Sequence, residues 1–263
     1  MKKPYRVARS LFLLAPISPL GLAWLPPERL PPGLDPDFQA LLQSSFRQLS
    51  ITLAATLALA MTLTVALGYT SVLWQRFGRT GSSVLKAVES VPAILVALFF
   101  YAPVSGYLAR HSSDVSQVVS LIVFILAATL TMLPESVRGV AIPLGDLYHR
   151  KYSLSFRSYG FTKRRILAVL LASQTMRGTL KRTAAGILLK TLVLDCSFGF
   201  IIQLGFGSYG TPAHASPGAL IAANRDALFE GGTPLLFWLP SLLLVLISTS
   251  FLLTLADRVE AAA

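Results

Sequence analysis

The chain has 263 residues, 54% of them hydrophobic and only 13% charged, with a formal net charge of +11. A soluble domain carries about 25% charged residues, so this composition, a mean hydropathy of +0.63 and long uncharged blocks indicate an integral membrane protein. The single cysteine, Cys196, excludes a disulfide framework, a CxxC redox pair and a thiolate metal site, and His111, His149 and His214 lack ligand-like spacing.

The first apolar stretch, 10–25, follows Lys2, Lys3, Arg6 and Arg9, as in a secretory signal. Pro16 and Pro19 interrupt it, and no A-x-A-like cleavage site precedes the segment LPPERLPPG, which favours a retained helix. Residues 1–47 are therefore expected to form an anchor helix and a Pro-rich external loop, with the core in 48–258. A bilayer core needs about 20 apolar residues in a helix. Segments 48–75, 90–109, 115–134 and 231–256 are uncharged, and 183–207 is apolar apart from Lys190 and Asp195. With the anchor, the expected fold is all-α with six transmembrane helices.

Loop charges orient these spans. The N-terminus carries four Lys/Arg, the loop around Arg76, Arg79 and Lys86 three, the long loop 135–182 ten, and the tail Arg258. The intervening loops hold only Arg29, Arg47, Arg110 and Arg225. Positive residues concentrate on the cytoplasmic side, so both termini are predicted to be inside. The high net charge is then mainly a topology signal rather than a nucleic-acid footprint. The external loops 26–47 and 208–234 are Pro-, Gly- and Ala-rich and too small to capture a ligand by themselves. No internal repeat supports an inverted-repeat transporter.

The inside loop contains KYSLSFRSYGFTKRR, residues 151–165, which is basic and aromatic and has no acid. As a helix, 152–159 places Tyr152, Phe156 and Tyr159 on one stripe and Ser153, Ser155, Arg157 and Ser158 on the remaining surface. Gly160 stands where a helix stop is expected, and Thr162 can cap a second helix through ILAVLLA. Periodicity leaves two readings open: an amphipathic hairpin on anionic lipid, or a knob that fits a groove on another protein.

This loop resembles the cytoplasmic Glu-Ala-Ala loop of permease subunits of bacterial ABC importers, in the dipeptide/oligopeptide/nickel branch. That branch typically reads Tyr-Val-Glu-Ala-Ala-Arg-Ala-Leu-Gly. Here Tyr152, Arg157 and Gly160 match in register, while Leu154, Ser155 and Phe156 replace Glu-Ala-Ala. Downstream, Arg165, Ile166 and Leu170 fit, and Ala172 and Ser173 replace Leu and Pro. ESVPAILVALFF (89–100) resembles the branch's Ile-Pro-bearing third helix. Arg138-Gly139, LGFG (204–207) and PGALIAANRDAL (217–228) also resemble branch segments, the last with Pro217 in place of a Trp. The resemblance covers about residues 48–258. It implies a type I ABC permease architecture in a bacterial inner membrane, with the hairpin as a coupling helix that docks on a cytoplasmic ATPase. The implied coupling residues are Tyr152, Leu154, Ser155, Phe156, Arg157, Tyr159 and Gly160. Implied partners are a second permease subunit, two ATPase subunits, an external solute-binding protein and the lipid bilayer, with peptides or nickel as cargo.

The chemistry of the chain agrees with a subunit that is not itself an enzyme. It has no GK dipeptide, hence no phosphate-cradling loop of the P-loop type, and no H-E-x-x-H. No cofactor is expected in this chain; ATP would be bound and hydrolysed by the partner subunits. Ser208, Ser216 and His214 lie in an external loop with no third group to orient a base. Asp195 is the polar residue most in need of explanation, because an isolated carboxylate at mid-bilayer costs about 2.5–3.5 kcal/mol on insertion scales. It either has a partner on a neighbouring helix or lines, with Lys190, a translocation pathway for a cationic or peptide solute. Lys190 stands about 140° around an ideal helix from Asp195, so a same-face ion pair between them is not expected. An ion-gradient-driven secondary transporter of a small polar solute is the alternative function class.

Overall fold

In a computed structural model of the chain, the structure describes residues 20–21, 23–24, 35–74, 87, 90–108, 114–205, 216–228 and 233–256. Among them 90% are helical and no strand occurs. The helices are α1 (Pro36–Leu73), α2 (Ala93–Leu108), α3 (Asp114–His149), α4 (Lys151–Ser158), α5 (Lys163–Leu171), α6 (Gln174–Gly205), α7 (Pro217–Ala223) and α8 (Leu235–Ala256), with a 3₁₀ turn at Arg225–Leu228. Four of them, α1, α3, α6 and α8, are long and apolar enough to cross a membrane. The expected span 90–109 is a 16-residue helix, α2. The anchor segment 10–25 lies almost wholly outside the described residues.

Helix α1 begins earlier than hydropathy implies. Asp35 accepts a hydrogen bond from the Asp37 backbone N–H, and Pro36 occupies the first turn, where a missing N–H costs nothing. The expected external loop 26–47 is thus corrected: from Pro36 onward it is helix. The reason is a continuous buried ridge, Phe38, Phe46, Leu49, Leu53 and Ala60, which does not stop where the charged residues begin.

Helix α3 requires the same correction at its other end. The loop expected to start at residue 135 is helical to His149, and both Pro134 and Pro143 lie inside the helix. Val137, Val140, Leu144 and Leu147 recur on one face and are buried. The last three form an inner cluster with Ile166, Leu167, Leu170 and Met176. Tertiary burial of this stripe outweighs the cost of proline in a helix interior. What remains of the long loop is two short helices, α4 and α5, and their turns.

Two further clusters lie along the bundle from this one. The central cluster contains Ala60, Tyr101, Phe124, Met132, Leu194 and Phe198, with Tyr101 edge-on to Phe198 at 4.7 Å. The outer cluster contains Phe46, Leu49, Leu53, Leu192 and Ile247. Helix α6 contributes to all three and is the common spine.

The segment 208–234, expected to be an external loop, folds in part against this spine. Ser216 caps α7 by accepting from the Ala219 N–H, and Pro217, Gly218, Ala219, Leu220 and Ala222 are buried. Two glycines permit the contact. A Cβ on Gly218 would stand 1.8 Å from the Cys196 carbonyl oxygen, and a Cβ on Gly199 would stand 1.7 Å from Ser216 Oγ. Small residues at such crossings let helices approach closely.

Candidate functional site

The hairpin at one end of the bundle is built from α4, Gly160 and α5. Tyr159, Gly160 and Phe161 close α4 with a glycine-terminated cap. The Gly160 N–H donates to the Arg157 carbonyl at 2.9 Å and the Phe161 N–H to the Phe156 carbonyl at 3.1 Å. Gly160 has φ +77°, the conformation that favours glycine, so the expected helix stop is present. A hydrophobic contact across the cap often accompanies this geometry. Here it is Phe156 edge-on to Phe161, with ring centroids 5.8 Å apart. Thr162 stands at the start of α5 as expected, but its side chain makes no capping hydrogen bond.

The hairpin is fastened to the rest of the molecule by its polar residues. Ser153, expected on the surface, is fully buried and donates from Oγ to the Leu147 carbonyl at 2.8 Å. The correction has a simple cause: α4 turns back against the end of α3, where the last carbonyls need donors. The Arg157 guanidinium lies 4.0 Å from the centre of the Tyr148 ring and donates to the Tyr148 carbonyl at 3.1 Å. Lys163 Nζ donates to the Leu73 carbonyl at 2.9 Å, while the Tyr69 hydroxyl donates to the Arg164 carbonyl at 3.0 Å. Both ends of the hairpin are therefore tied, to α3 and to α1.

The residues left facing outward are Leu154, Ser155, Phe156, Ser158 and Tyr159, with Tyr159 80% exposed. The expected aromatic stripe is thus divided. Phe156 is partly used inside the turn, and Leu154 and Tyr159 form the projecting apolar surface. The Tyr152 side chain lies outside the described features.

The structure places the two mid-span charges differently from each other. Asp195 is 1% exposed, inside the bundle. Lys190 forms an ion pair with Glu135 of α3, and both side chains are about half exposed. The sequence reasoning missed Glu135, because it follows Pro134 at the end of an uncharged run and looks like the first residue of a loop. Only the continuation of α3 brings it opposite Lys190. Of the two, Lys190 is exposed and Asp195 buried, so they sit in different surroundings.

Burial also holds the hydroxyls of Thr56, Thr64, Thr129 and Thr191 without hydrogen-bond partners. Thr191 and Asp195, four residues apart, share one face of α6. Asp195→Asn keeps the shape but removes the charge. It is expected to leave the bundle assembled, by size-exclusion profile, and, if Asp195 lines a solute path, to change uptake at least about tenfold, the effect of about 1.4 kcal/mol. Unchanged uptake would assign Asp195 a purely architectural part.

Ser216, weighed as a nucleophile, caps α7 instead; Ser208 and His214 lie outside the described residues. Among the described residues no group of three or more His, Cys, Asp or Glu is arranged to hold a metal. Comparison with protein-family models finds no match, and comparison with curated proteins finds none either. The chain is an all-helical protein with several apolar helices compatible with a multi-pass membrane protein.

Proposed function

We propose that the chain is a transmembrane permease subunit of an ATP-driven importer in a bacterial inner membrane, with six spans and both termini inside. Separate ATPase subunits close on nucleotide and rock a pair of such permeases between inward- and outward-open states, and an external binding protein delivers the solute. Peptides or nickel are the cargo that the resemblance implies. The observation that carries this reading is the tethered hairpin. A short helix is ended by a left-handed glycine and held to α1 and α3 by Lys163, Ser153 and Arg157. It leaves Leu154 and Tyr159 projecting from the basic end of the bundle. A rigid knob with tied ends transmits a push in a way that a floating amphipathic helix does not.

The test is co-purification. Chain carrying Tyr159→Cys, extracted in detergent with candidate ATPases present, is expected to crosslink to one of them. Leu154→Ala with Tyr159→Ala is expected to abolish ATP-driven uptake while the chain still folds. Failure of every candidate ATPase to co-purify would move the assignment to the secondary transporter. One observation favours that second reading: Glu135 joins Asp195 as an acid within the spans, as an ion-coupled carrier would need.

A further inference from the structure

Residues 136–189 include ten Lys and Arg and a single acid, Asp146. Topology alone asks only that such cations stand in one loop. The fold instead gathers them around one apolar nucleus, the cluster that joins the end of α3 to α5 and the start of α6. Their surroundings differ. Arg157 and Lys163 donate to the Tyr148 and Leu73 carbonyls and hold the hairpin in place. Arg165 lies over the Phe161 ring, 4.7 Å from its centre. Arg164, Arg177, Lys181 and Arg182 are exposed and make no ion pair among the described residues.

Two helices set the level of this surface. On α6, Thr183 opens an apolar run whose only charges as far as Gly205 are Lys190 and Asp195. At 1.5 Å per residue Lys181 stands about 3 Å before that run and Arg177 about 9 Å. Headgroups occupy roughly 5–8 Å on each side of the hydrocarbon core, so Lys181 and Arg182 fall within that layer. Arg177 stands at its outer edge, within reach of an extended side chain. Helix α1 gives the level of α5. Lys163 Nζ donates to the Leu73 carbonyl and the Tyr69 hydroxyl to the Arg164 carbonyl, so the first turn of α5 lies beside the last turn of α1. Trp74 follows that turn and is 55% exposed, the residue type that marks a membrane interface. Arg150 and Lys151 lie further out. Gly139 of α3 faces Thr183 of α6, with a Cβ position 3.6 Å from its hydroxyl oxygen, and α3 runs on about 15 Å from there to His149.

We infer that Arg164, Arg165, Arg177, Lys181 and Arg182 form a binding surface for the headgroups of anionic phospholipids. A lipid phosphate accepts charge-assisted hydrogen bonds from guanidinium and ammonium groups. A headgroup of net negative charge also relieves the mutual repulsion of these cations, which a zwitterionic headgroup does not. Helix α5 adds an apolar part to the surface. Ala168, Val169 and Ala172 stand three, four and seven residues after Arg165, on one face, and all are exposed. Cations at one end and small apolar side chains along the rest suit a helix lying in the headgroup region. An acidic protein is the competing occupant, and the level of the cations disfavours it. A protein docking from the water meets Leu154 and Tyr159 of α4, whereas lipid headgroups already fill the layer of Lys181 and Arg182. The inference needs only that the chain spans a membrane and does not rest on the permease reading.

The test is lipid competition on the full chain purified in a neutral detergent. Phosphatidylglycerol and phosphatidylcholine of equal chain length are supplied at equal concentration, and native mass spectrometry counts the lipid retained. The parent is expected to retain phosphatidylglycerol at least about tenfold over phosphatidylcholine, with the preference falling as salt rises. Arg177→Gln with Lys181→Gln and Arg182→Gln should reduce that preference at least about threefold, as should Arg164→Gln with Arg165→Gln. All five together should abolish it. Both partial sets change exposed side chains and are read against the parent's size-exclusion profile, so the test stands even where the fivefold variant does not fold. Arg177→Lys with Arg182→Lys keeps the charge and should keep the preference. Arg150→Gln with Lys151→Gln removes two charges from beyond the headgroup layer and should change nothing. An equal loss in that control would reduce the surface to net charge and overturn the site. Equal retention of the two lipids by the parent overturns the inference outright. So does displacement of phosphatidylglycerol by an equal concentration of poly-glutamate or inorganic phosphate, which would give the surface to an acidic protein or a free anion. No ATPase enters the assay, so failure here is distinguishable from failure of the coupling assignment.

Discussion

Gly218→Ala is expected to destabilise the detergent-solubilised chain by about 3 kcal/mol, the upper end for an overpacking substitution. The added methyl would stand 1.8 Å from the Cys196 carbonyl oxygen and 2.6 Å from its carbon. These are backbone atoms in the middle of a 32-residue helix and cannot turn aside as a side-chain tip can. Helix α7 must therefore lift off α6 and expose Ala219, Leu220 and Ala222. Gly199→Ala meets a softer obstacle, since its nearest atom is Ser216 Oγ. That hydroxyl can rotate, but it then gives up its cap on α7, so an intermediate loss is expected. Gly186→Ala, with nothing within 4 Å of the new methyl, serves as the control, and should be neutral or stabilise by up to about 1 kcal/mol. Thermal melts followed by size exclusion rank the three. A Gly218→Ala protein that melts with the parent would mean that α7 does not seat where the glycines place it.

The second large effect concerns Gly160. Its surroundings are open, with nothing within 4 Å of a built Cβ, so any penalty comes from φ +77° alone. A left-handed conformation costs an ordinary L-residue roughly 1–2 kcal/mol, and more for a β-branched one. Gly160→Val is therefore expected to open the hairpin without melting the bundle. Gly160→Asn, which tolerates this conformation, should behave nearly as the parent. The readout is limited trypsin digestion at Lys163, Arg164 and Arg165. The valine protein should be cut about tenfold faster, the population change that 1.4 kcal/mol produces. Equal cutting of all three proteins would remove the glycine from the account of the hairpin. The same substitution should lower ATP-driven uptake if the hairpin couples, giving a functional arm on an independent assay.

These expectations show where the sequence was informative. The class of protein was legible from uncharged runs alone, because hydropathy over 20 residues is a strong signal and does not depend on neighbours. The stop at Gly160 was legible too, since only local backbone preference decides it. The limits of α1 and α3 were not. Charged residues such as Asp37, Glu135 and Arg138 suggest loop, yet the helices continue past them because Phe38, Phe46, Val140 and Leu144 have surfaces to bury. Ser153 was misplaced for a related reason. Its helical position was clear, but which side of α4 meets the bundle depends on how the chain turns at Arg150. Glu135 could not be paired with Lys190 from one dimension, since 55 residues separate them. Helix α7 was hidden by composition: PGALIAA is short and flanked by glycine and proline, and it is helical because α6 offers Gly199 beneath it.

Helix α6 invites a mechanical description. Its 32 residues contain no proline and extend about 48 Å at 1.5 Å per residue, longer than the hydrocarbon core is thick. Its inner end bears on the cluster beneath the hairpin through Met176, and its outer half carries α7 through Cys196 and Gly199. Such a rod would act as a lever if it pivots near its midpoint, beside Ile187 of the central cluster. A tilt of about 5° about its midpoint displaces its two ends by about 2 Å in opposite directions, given that length. A push at the hairpin end would then swing the α7 end the other way, with no proline in the rod to absorb the stroke.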